Sequence, residues 1–344
     1  MDNYLDGDRN HATLTGTYLE YTNLSNADLS LSTMTSAIAT GANLTNANIS
    51  GATLTSIILE DAILINANLT GANLTSSNLK NTTVTGANLT NANLTTTVSI
   101  NTDFSGSDLS GANMTTGNFD GANMTNVILT GANLTTSKLI NTILVGAKTG
   151  GLLGAPTNLP KDWVLTNGYL IGQGANLNGA DLTGVDLSNI VLSGLITGGI
   201  TGNPILPEGW LLIKGYLIGK GANLVDANLD GADLSQADLR DVRTGGITGI
   251  FTLPNEWKLV DGYLVGPNAY LVGANLGNSD LTGINLSNAN LSNADLSNAN
   301  LTDANLSSTN LTNADLSNTI LTNVFGNSLV VRLTALILES STKY

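Results

Sequence analysis

Residues 285–306 read NLSNANLSNADLSNANLTDANL, with leucine at every fifth position and alanine two places before nearly every one. A period of five fits neither the 3.6-residue face of a helix nor the two-residue alternation of a long strand. It is therefore a repeat, and repeats have to be settled before domains. Working outward, every fifth residue from Leu14 to Leu144 is Leu, Ile, Met, Val or Phe except Ala39 and Ser99. The register then shifts, giving rows from Leu177 to Leu192, from Leu224 to Leu239 and from Leu271 to Leu321. In all there are 46 such units.

Units such as GANLT, NADLS and GADLS resemble those of the pentapeptide-repeat family, whose consensus is A(D/N)LxX. The resemblance implies an all-β fold, a right-handed quadrilateral parallel β-helix in which each pentapeptide forms one side and four make a coil. The residues agree with that. A short extended side can point Ala42 and Leu44 inward while Asn43 points out, the alternation a strand requires. Threonine at positions 15, 35, 55, 75, 95, 115 and 135 marks a period of 20, one coil. Stacked about 4.8 Å apart, the 46 units would make a rod of roughly 55 Å before any insert is counted.

The middle of the chain carries a second repeat, close to 47 residues long, whose three copies run TGG…W…GYL. Inserts similar to these occur in other bacterial pentapeptide-repeat proteins of cyanobacterial type. The copies hold all three tryptophans (Trp163, Trp210, Trp257) and all six prolines. Because proline cannot donate to a central ladder, the Gly/Pro portion is expected to bulge outward. The leucine pairs Leu165 with Leu170, Leu212 with Leu217 and Leu259 with Leu264 keep the spacing of five, so the latter half is expected to rejoin the coil.

The domain reading follows: an N-terminal cap or tail at 1–13, β-helix at 14–147, β-helix interrupted by three Trp/Pro loops at 148–270, β-helix at 271–325 and a C-terminal cap at 326–344. The ends need covering because an open coil leaves backbone unpaired. Asn327 and Ser328 ahead of an apolar run suggest a short capping helix over residues 329–338, with a final strand as the alternative.

Composition narrows function mainly by exclusion. Only 11% of the 344 residues are charged, against about 25% in a typical soluble protein. A net charge of -14 argues against nonspecific binding to nucleic acid or anionic membranes. With no cysteine and a single histidine, His11, there is no disulfide, thiolate zinc site, Ser/His/Asp triad or multi-histidine metal site to build. Carboxylates such as Asp181 and Asp186 mostly occupy the outward Asn/Asp position, where a solvated face accounts for them. No catalytic, cofactor or metal residue is assigned, and the chain reads as a non-enzyme. The acidic N-terminus lacks the regions of a signal peptide and there is no run of 18 apolar residues, so a cytoplasmic location without membrane insertion is the default expectation. Export without a cleaved leader, or removal of a leader, is left open.

Sorting residues by twenties makes one side irregular. Its outward positions include Tyr18, Ile38, Ile58, Val98, Ile100 and Ile140, a candidate surface for a protein partner or self-association. Neutral drift on an unconstrained face, or cover from the N-terminal segment, is the competing explanation. The pairs Trp163/Tyr169, Trp210/Tyr216 and Trp257/Tyr263 are a second candidate surface, for sugar or protein, against a role as local anchors for the loops. Two alternatives come from other classes. Some pentapeptide-repeat proteins resemble B-DNA and bind topoisomerases. Residues 14–144 carry only seven acids and two lysines, which is thin beside duplex DNA with one charge per roughly 1.7 Å. The TxT triplets at 13–15, 33–35 and 53–55 also resemble the flat threonine arrays of β-helical ice-binding proteins, although asparagine replaces the first threonine from Asn73 onward.

Overall fold

The computed structural model describes residues 11–326, so the expected capping segment at 329–338 and most of the N-terminal one lie outside the described residues. Two compact units are present, Met1–Leu177 and Asn178–Tyr344.

In the first unit the chain forms a right-handed β-helix with the expected 20-residue coil. Parallel single-residue bridges link Thr13 to Thr33, Tyr18 to Ile38, Asn23 to Asn43 and Asp28 to Asn48, and each column continues upward. These columns define a first, second, third and fourth side. Each rung is bonded in both directions: Leu44 donates its N–H to the Ile63 carbonyl at 2.7 Å, and Asn43 donates to Thr22 at 2.9 Å. The inward Ala and Leu of each side are buried, with Ala47, Leu64 and Leu69 at 0% exposure.

The corners explain the rest of the pentapeptide. Thr17 donates to the Leu14 carbonyl at 3.2 Å, closing a turn at Thr15 and Gly16, and the pattern recurs at each corner as Ala47 to Leu44 and Ala92 to Leu89. The third residue of every turn, from Gly16 to Gly146 in steps of five, has a φ between 54° and 73°. Gly and Asn tolerate that region best, which is why they precede the alanine so often. The outward Asn has its own task. Asn43 Oδ1 accepts the backbone N–H of Thr45 at 3.0 Å and its hydroxyl at 2.7 Å. Its equivalents also form vertical ladders, as when Asn68 Nδ2 donates to Asn48 Oδ1 at 3.2 Å. Where Ser or Thr replaces the inward Ala, the hydroxyl donates either to a carbonyl of the coil below, as Thr82 to Leu59 at 2.7 Å and Thr102 to Leu79 at 2.6 Å, or to the carbonyl three residues back, as Ser32 to Leu29 at 2.7 Å and Thr97 to Leu94 at 2.9 Å. Buried hydroxyls are satisfied in this way, but the Oγ of buried Ser77, at the same inward position, has no partner among the described residues.

Phe104 and Phe119 are fully buried, with ring centroids 6.1 Å apart. Phe119 stands one coil above the short Ser99 and reaches over Gly117, where a Cβ would lie 2.5 Å from its ring. A small residue in the row is matched by a large one nearby, which keeps the interior dense.

The TGG…W…GYL segments depart from expectation in two ways. Their Gly/Pro portions do not bulge: Leu153 bridges Asn133 and Asn158 bridges Lys138, so this stretch stays in the wall. Pro156 fits because its neighbours supply the rung, Ala155 accepting from Thr136 and Thr157 donating to Ser137. Nor does the latter half rejoin as a pentapeptide side. It folds as an antiparallel hairpin of β1 (Val164–Thr166) and β2 (Tyr169–Ile171), with Leu165 facing Leu170 across the pair. The next bridge joins Lys148 to Asn176, a longer step along the chain than a plain coil takes, so the hairpin occupies the place of the third side of that coil.

In the second unit the same construction appears twice, as β3 (Leu211–Ile213) with β4 (Tyr216–Ile218), and β5 (Lys258–Val260) with β6 (Tyr263–Val265). The bridges from Ile196 to Asn223 and from Arg243 to Tyr270 both take the longer step, whereas the one between them, Asn223 to Arg243, takes the plain one. The 47-residue repeat is thus one hairpin coil followed by one plain coil. From Tyr270 to Phe325 the plain 20-residue ladder resumes.

The candidate surfaces and the TGG clasp

The hairpins cross the inside of the coil. In the first unit the turn carbonyl of Gly168 accepts the N–H of Leu152 at 3.1 Å, next to the corner between the fourth and first sides. Gly215 and Ile200, and Gly262 and Ile247, repeat this bond at 3.1 Å in the second unit. Neighbouring residues of the returning strand then face different cores. Leu264 belongs to the cluster that contains Ile218, Leu224 and Leu234, while Val265 belongs to the one with Leu271, Leu276 and Leu286. A strand pair can lie in the interior because it satisfies its own backbone groups.

Each letter of the motif has a contact. The threonine hydroxyl accepts the N–H of the GYL leucine, Thr149 from Leu170 at 3.1 Å, Thr197 from Leu217 at 3.4 Å and Thr244 from Leu264 at 3.3 Å. A Cβ on the first glycine would sit 3.1 to 3.3 Å from the tyrosine ring in the pairs Gly150/Tyr169, Gly198/Tyr216 and Gly245/Tyr263. Trp163 closes a turn by donating its N–H to the Pro160 carbonyl at 3.2 Å, as Trp210 does to Pro207 and Trp257 to Pro254. Its indole lies against Gly172, whose added Cβ would be 2.3 Å from the ring. The Tyr216 hydroxyl accepts the N–H of Asn228 at 3.2 Å and that of Tyr263 accepts from Asn275 at 3.3 Å, each on the coil above. All six aromatics are half-buried, and Trp163, Trp210 and Trp257 pack against core clusters.

The irregular second side is assembled as the period of 20 requires. Tyr18, Ile38, Ile58, Asn78 and Val98 form one bridged column. Tyr18 is 76% exposed, Val98 39% and Ile140 43%, while Ile38, Ile58 and Ile100 are half-buried. The three lowest residues are contiguous; Val98 and Ile100 share a rung two coils higher, and Ile140 stands two coils above that. Between them Lys80 pairs with Glu60 at 2.9 Å. The lysine's hydrogen bond and charge hold the Glu60 carboxyl below the usual carboxylate range and raise the lysine.

The sequence sort missed Tyr21, a corner residue 80% exposed whose ring covers Gly41 one coil up, and the exposed ledge of Ile143 and Val145 on the third side. A tyrosine at a corner position, with glycine at the corner of the next coil, is the signal that marks the first. On the first side the threonine hydroxyls from Thr75 upward are occupied. Thr75 Oγ1 donates to Asn73 Oδ1 at 2.6 Å and accepts from Asn93 Nδ2 at 3.0 Å.

Among the described residues no group of three or more His, Cys, Asp or Glu side chains could hold a metal ion, and no helix is long and apolar enough to cross a membrane. A small cleft lined by Glu256, Asn285, Asp303, Asn305 and Phe325 lies beside the third hairpin.

With this geometry the chain belongs to the pentapeptide-repeat family: the family's model, Pentapeptide repeats, matches residues 12–148, 173–194, 220–243 and 269–323. The gaps between those matches hold the three hairpins. Among solved structures the chain is similar to HetL, a pentapeptide repeat protein involved in heterocyst differentiation regulation from the cyanobacterium Nostoc sp. strain PCC 7120, at 23% identity over 92% of this chain and 89% of that one, with a TM-score of 0.25. Rfr23 from the cyanobacterium Cyanothece 51142 is 30% identical over 42% of this chain and 91% of its own, with a TM-score of 0.19. QnrB1, a plasmid-mediated fluoroquinolone resistance protein, is 17% identical over 69% of this chain and 90% of its own, with a TM-score of 0.26. No curated protein matches the chain.

Proposed function

We propose that the chain is a non-catalytic interaction scaffold whose second side, through Tyr18, Ile38, Ile58, Val98, Ile100 and Ile140, receives a protein partner. The observation that carries this reading is the continuous column of Tyr18, Ile38 and Ile58 in a segment whose other three sides present mostly Asn, Thr and Ser outward. Apolar side chains that remain partly open to solvent in one continuous column on an otherwise polar surface support a contact site. The Lys80–Glu60 pair at its centre adds a polar feature that can fix register.

The alternatives have less behind them. Charge is too sparse on the first segment for a DNA-mimicking topoisomerase inhibitor. A lattice-binding threonine side needs free hydroxyls, and from Asn73 upward they are engaged with asparagine. The loop aromatics have contacts that account for them as anchors of the hairpins.

The test is affinity capture from host lysate and medium with the intact chain and with a variant carrying Ile38, Ile58, Val98, Ile100 and Ile140 changed to Thr. The proposal expects a partner retained by the intact chain and lost by the variant. Equal capture by both removes the second side from consideration.

A further inference from the structure

The second side of the first unit departs from the pentapeptide pattern in charge as well as in its apolar column. Residues 14–144 hold nine charged side chains. Six of them, Glu20, Glu60, Asp61, Lys80, Asp120 and Lys138, lie on the second side or at the corner that follows it, and the first side has none. The acids share one edge. Glu20, Glu60 and Asp120 stand two residues after Tyr18, Ile58 and Asn118 of the outward column, and Asp61 follows at the corner. The opposite edge is uncharged, its corner holding Ser36, Ser56 and Ser76. Lys80 occupies Glu60 at 2.9 Å, whereas Glu20, Asp61 and Asp120 have no ion pair with any described residue.

The backbone limits what can dock here. Ile38 donates its N–H to the Thr17 carbonyl and accepts from Leu19, and Ile58 does the same with Ala37 and Ala39. With these rungs bonded above and below, an extended peptide finds no free edge to pair with, so a partner has to engage side chains. An α-helix laid along the stack meets that condition. Its side chains at i, i+3, i+4 and i+7 recur about every 5.4 Å along the axis, against about 4.8 Å between coils. Over the two steps from Tyr18 to Ile58 the mismatch is about 1 Å, which flexible side chains absorb. A helix of about 18 residues, about 27 Å long, covers the five coil steps from Glu20 to Asp120.

We infer that the partner received by the second side presents a basic amphipathic α-helix, its apolar stripe over Tyr18, Ile38 and Ile58 and its lysines or arginines along the acidic edge of Glu20, Asp61 and Asp120. This rests on the reading of the second side as the contact surface. The apolar stripe supplies the buried area, and the one-sided charge fixes which way round the helix lies.

The test uses the full-length chain and a fluorescently labelled helical peptide of about 18 residues, with leucine at every third or fourth position, lysine along one flank and alanine elsewhere. One control peptide carries glutamate in place of lysine; in another the same residues are reordered so that leucine and lysine alternate. Anisotropy titrations at about 0.1 M and about 1 M salt, between which the screening length falls from about 10 Å to about 3 Å, separate charge from apolar contact. Expected is binding of the lysine helix alone. Glu20→Gln, Asp61→Asn and Asp120→Asn together should weaken it about fivefold or more at the lower salt, and Ile38→Thr with Ile58→Thr should abolish it at both. The inference is overturned by no binding of the lysine helix to the intact chain, by equal binding of either control peptide, or by unchanged affinity in the charge variant. In the last case, continued loss in the isoleucine variant leaves the second side standing as the contact surface. Undiminished binding by the isoleucine variant overturns both readings. A dimer of the full-length chain in sedimentation that the isoleucine variant abolishes gives the face to a second copy and overturns the basic helix as its occupant.

Discussion

The indole of Trp210 lies on the Cα of Gly219, its opposite number across the mouth of the β3–β4 hairpin: a Cβ on that glycine would come within 2.5 Å of the ring. The same pair recurs as Trp163 with Gly172 and Trp257 with Gly266. None of these glycines has a positive φ, so what each supplies is space. Gly219→Ala should therefore displace the indole and destabilise the second unit by about 1–3 kcal/mol, the usual range for overpacking. Thermal unfolding followed by tryptophan fluorescence reads both effects. An unshifted midpoint with an unchanged emission maximum would show that the ring moves aside freely.

Thr96, Thr116 and Thr136 stand one above another at a corner with φ of 56°, 54° and 54°. Such values are costly for a β-branched residue, and each threonine compensates by a hydroxyl bond to the carbonyl just before it, Thr96 also meeting the Ser76 hydroxyl at 2.8 Å. Asparagine suits the position better, as Asn46 and Asn126 illustrate. Thr116→Asn is expected to stabilise the first unit by roughly 1 kcal/mol, the low end of the typical cost of a non-glycine residue in left-handed backbone. A lower denaturation midpoint in the variant would contradict this assignment of strain.

Acid stability should follow the outward aspartates. Hydrogen bonds from the hydroxyl and backbone N–H of the residue two places on lower the carboxyls of Asp181, Asp186, Asp280 and Asp315, with the hydroxyl contributing most. A depressed folded-state pKa gives stability that is complete above the unfolded value, about 3.9, and lost as pH falls through the folded one. The expected profile is flat above about pH 5 and declines below the ordinary carboxylate range. Changing these four residues to Asn keeps the acceptor oxygen and removes the titration, so the decline should become shallower in urea midpoints measured from pH 5 to pH 2. An equally steep limb would place the acid sensitivity elsewhere.

Tyr216 and Tyr263 each accept a backbone N–H from the coil above, Asn228 and Asn275 respectively. In plain coils that N–H donates to a carbonyl below, so the phenol oxygen substitutes for a missing rung. Tyr216→Phe should cost about 0.5–1.5 kcal/mol, typical of one neutral hydrogen bond. It should also accelerate exchange of the Asn228 amide while leaving Asn275 alone. Equal exchange at both would mean that the hydroxyl does not protect that amide.

The sequence by itself determined the coil. A residue pattern of small, polar, large and corner types, repeated every five positions and marked by threonine once per coil, leaves one way to bury Leu64 and Leu69 while pointing Ile63 and Asn68 outward. It also placed Tyr18, Ile38 and Ile58 on one side, because a strict period makes vertical neighbours a matter of counting. What only the tertiary structure decided is the course of the TGG segments. Proline and glycine suggested an outward loop, but Leu153 and Asn158 stay in the wall while Leu170 and Ile171 go inside. That outcome depends on contacts between residues well separated along the chain, Gly168 with Leu152 and Leu170 with Thr149, which no local propensity encodes. A hairpin that pairs its own backbone can be buried as well as exposed, and the packing of its two faces against separate cores determines which.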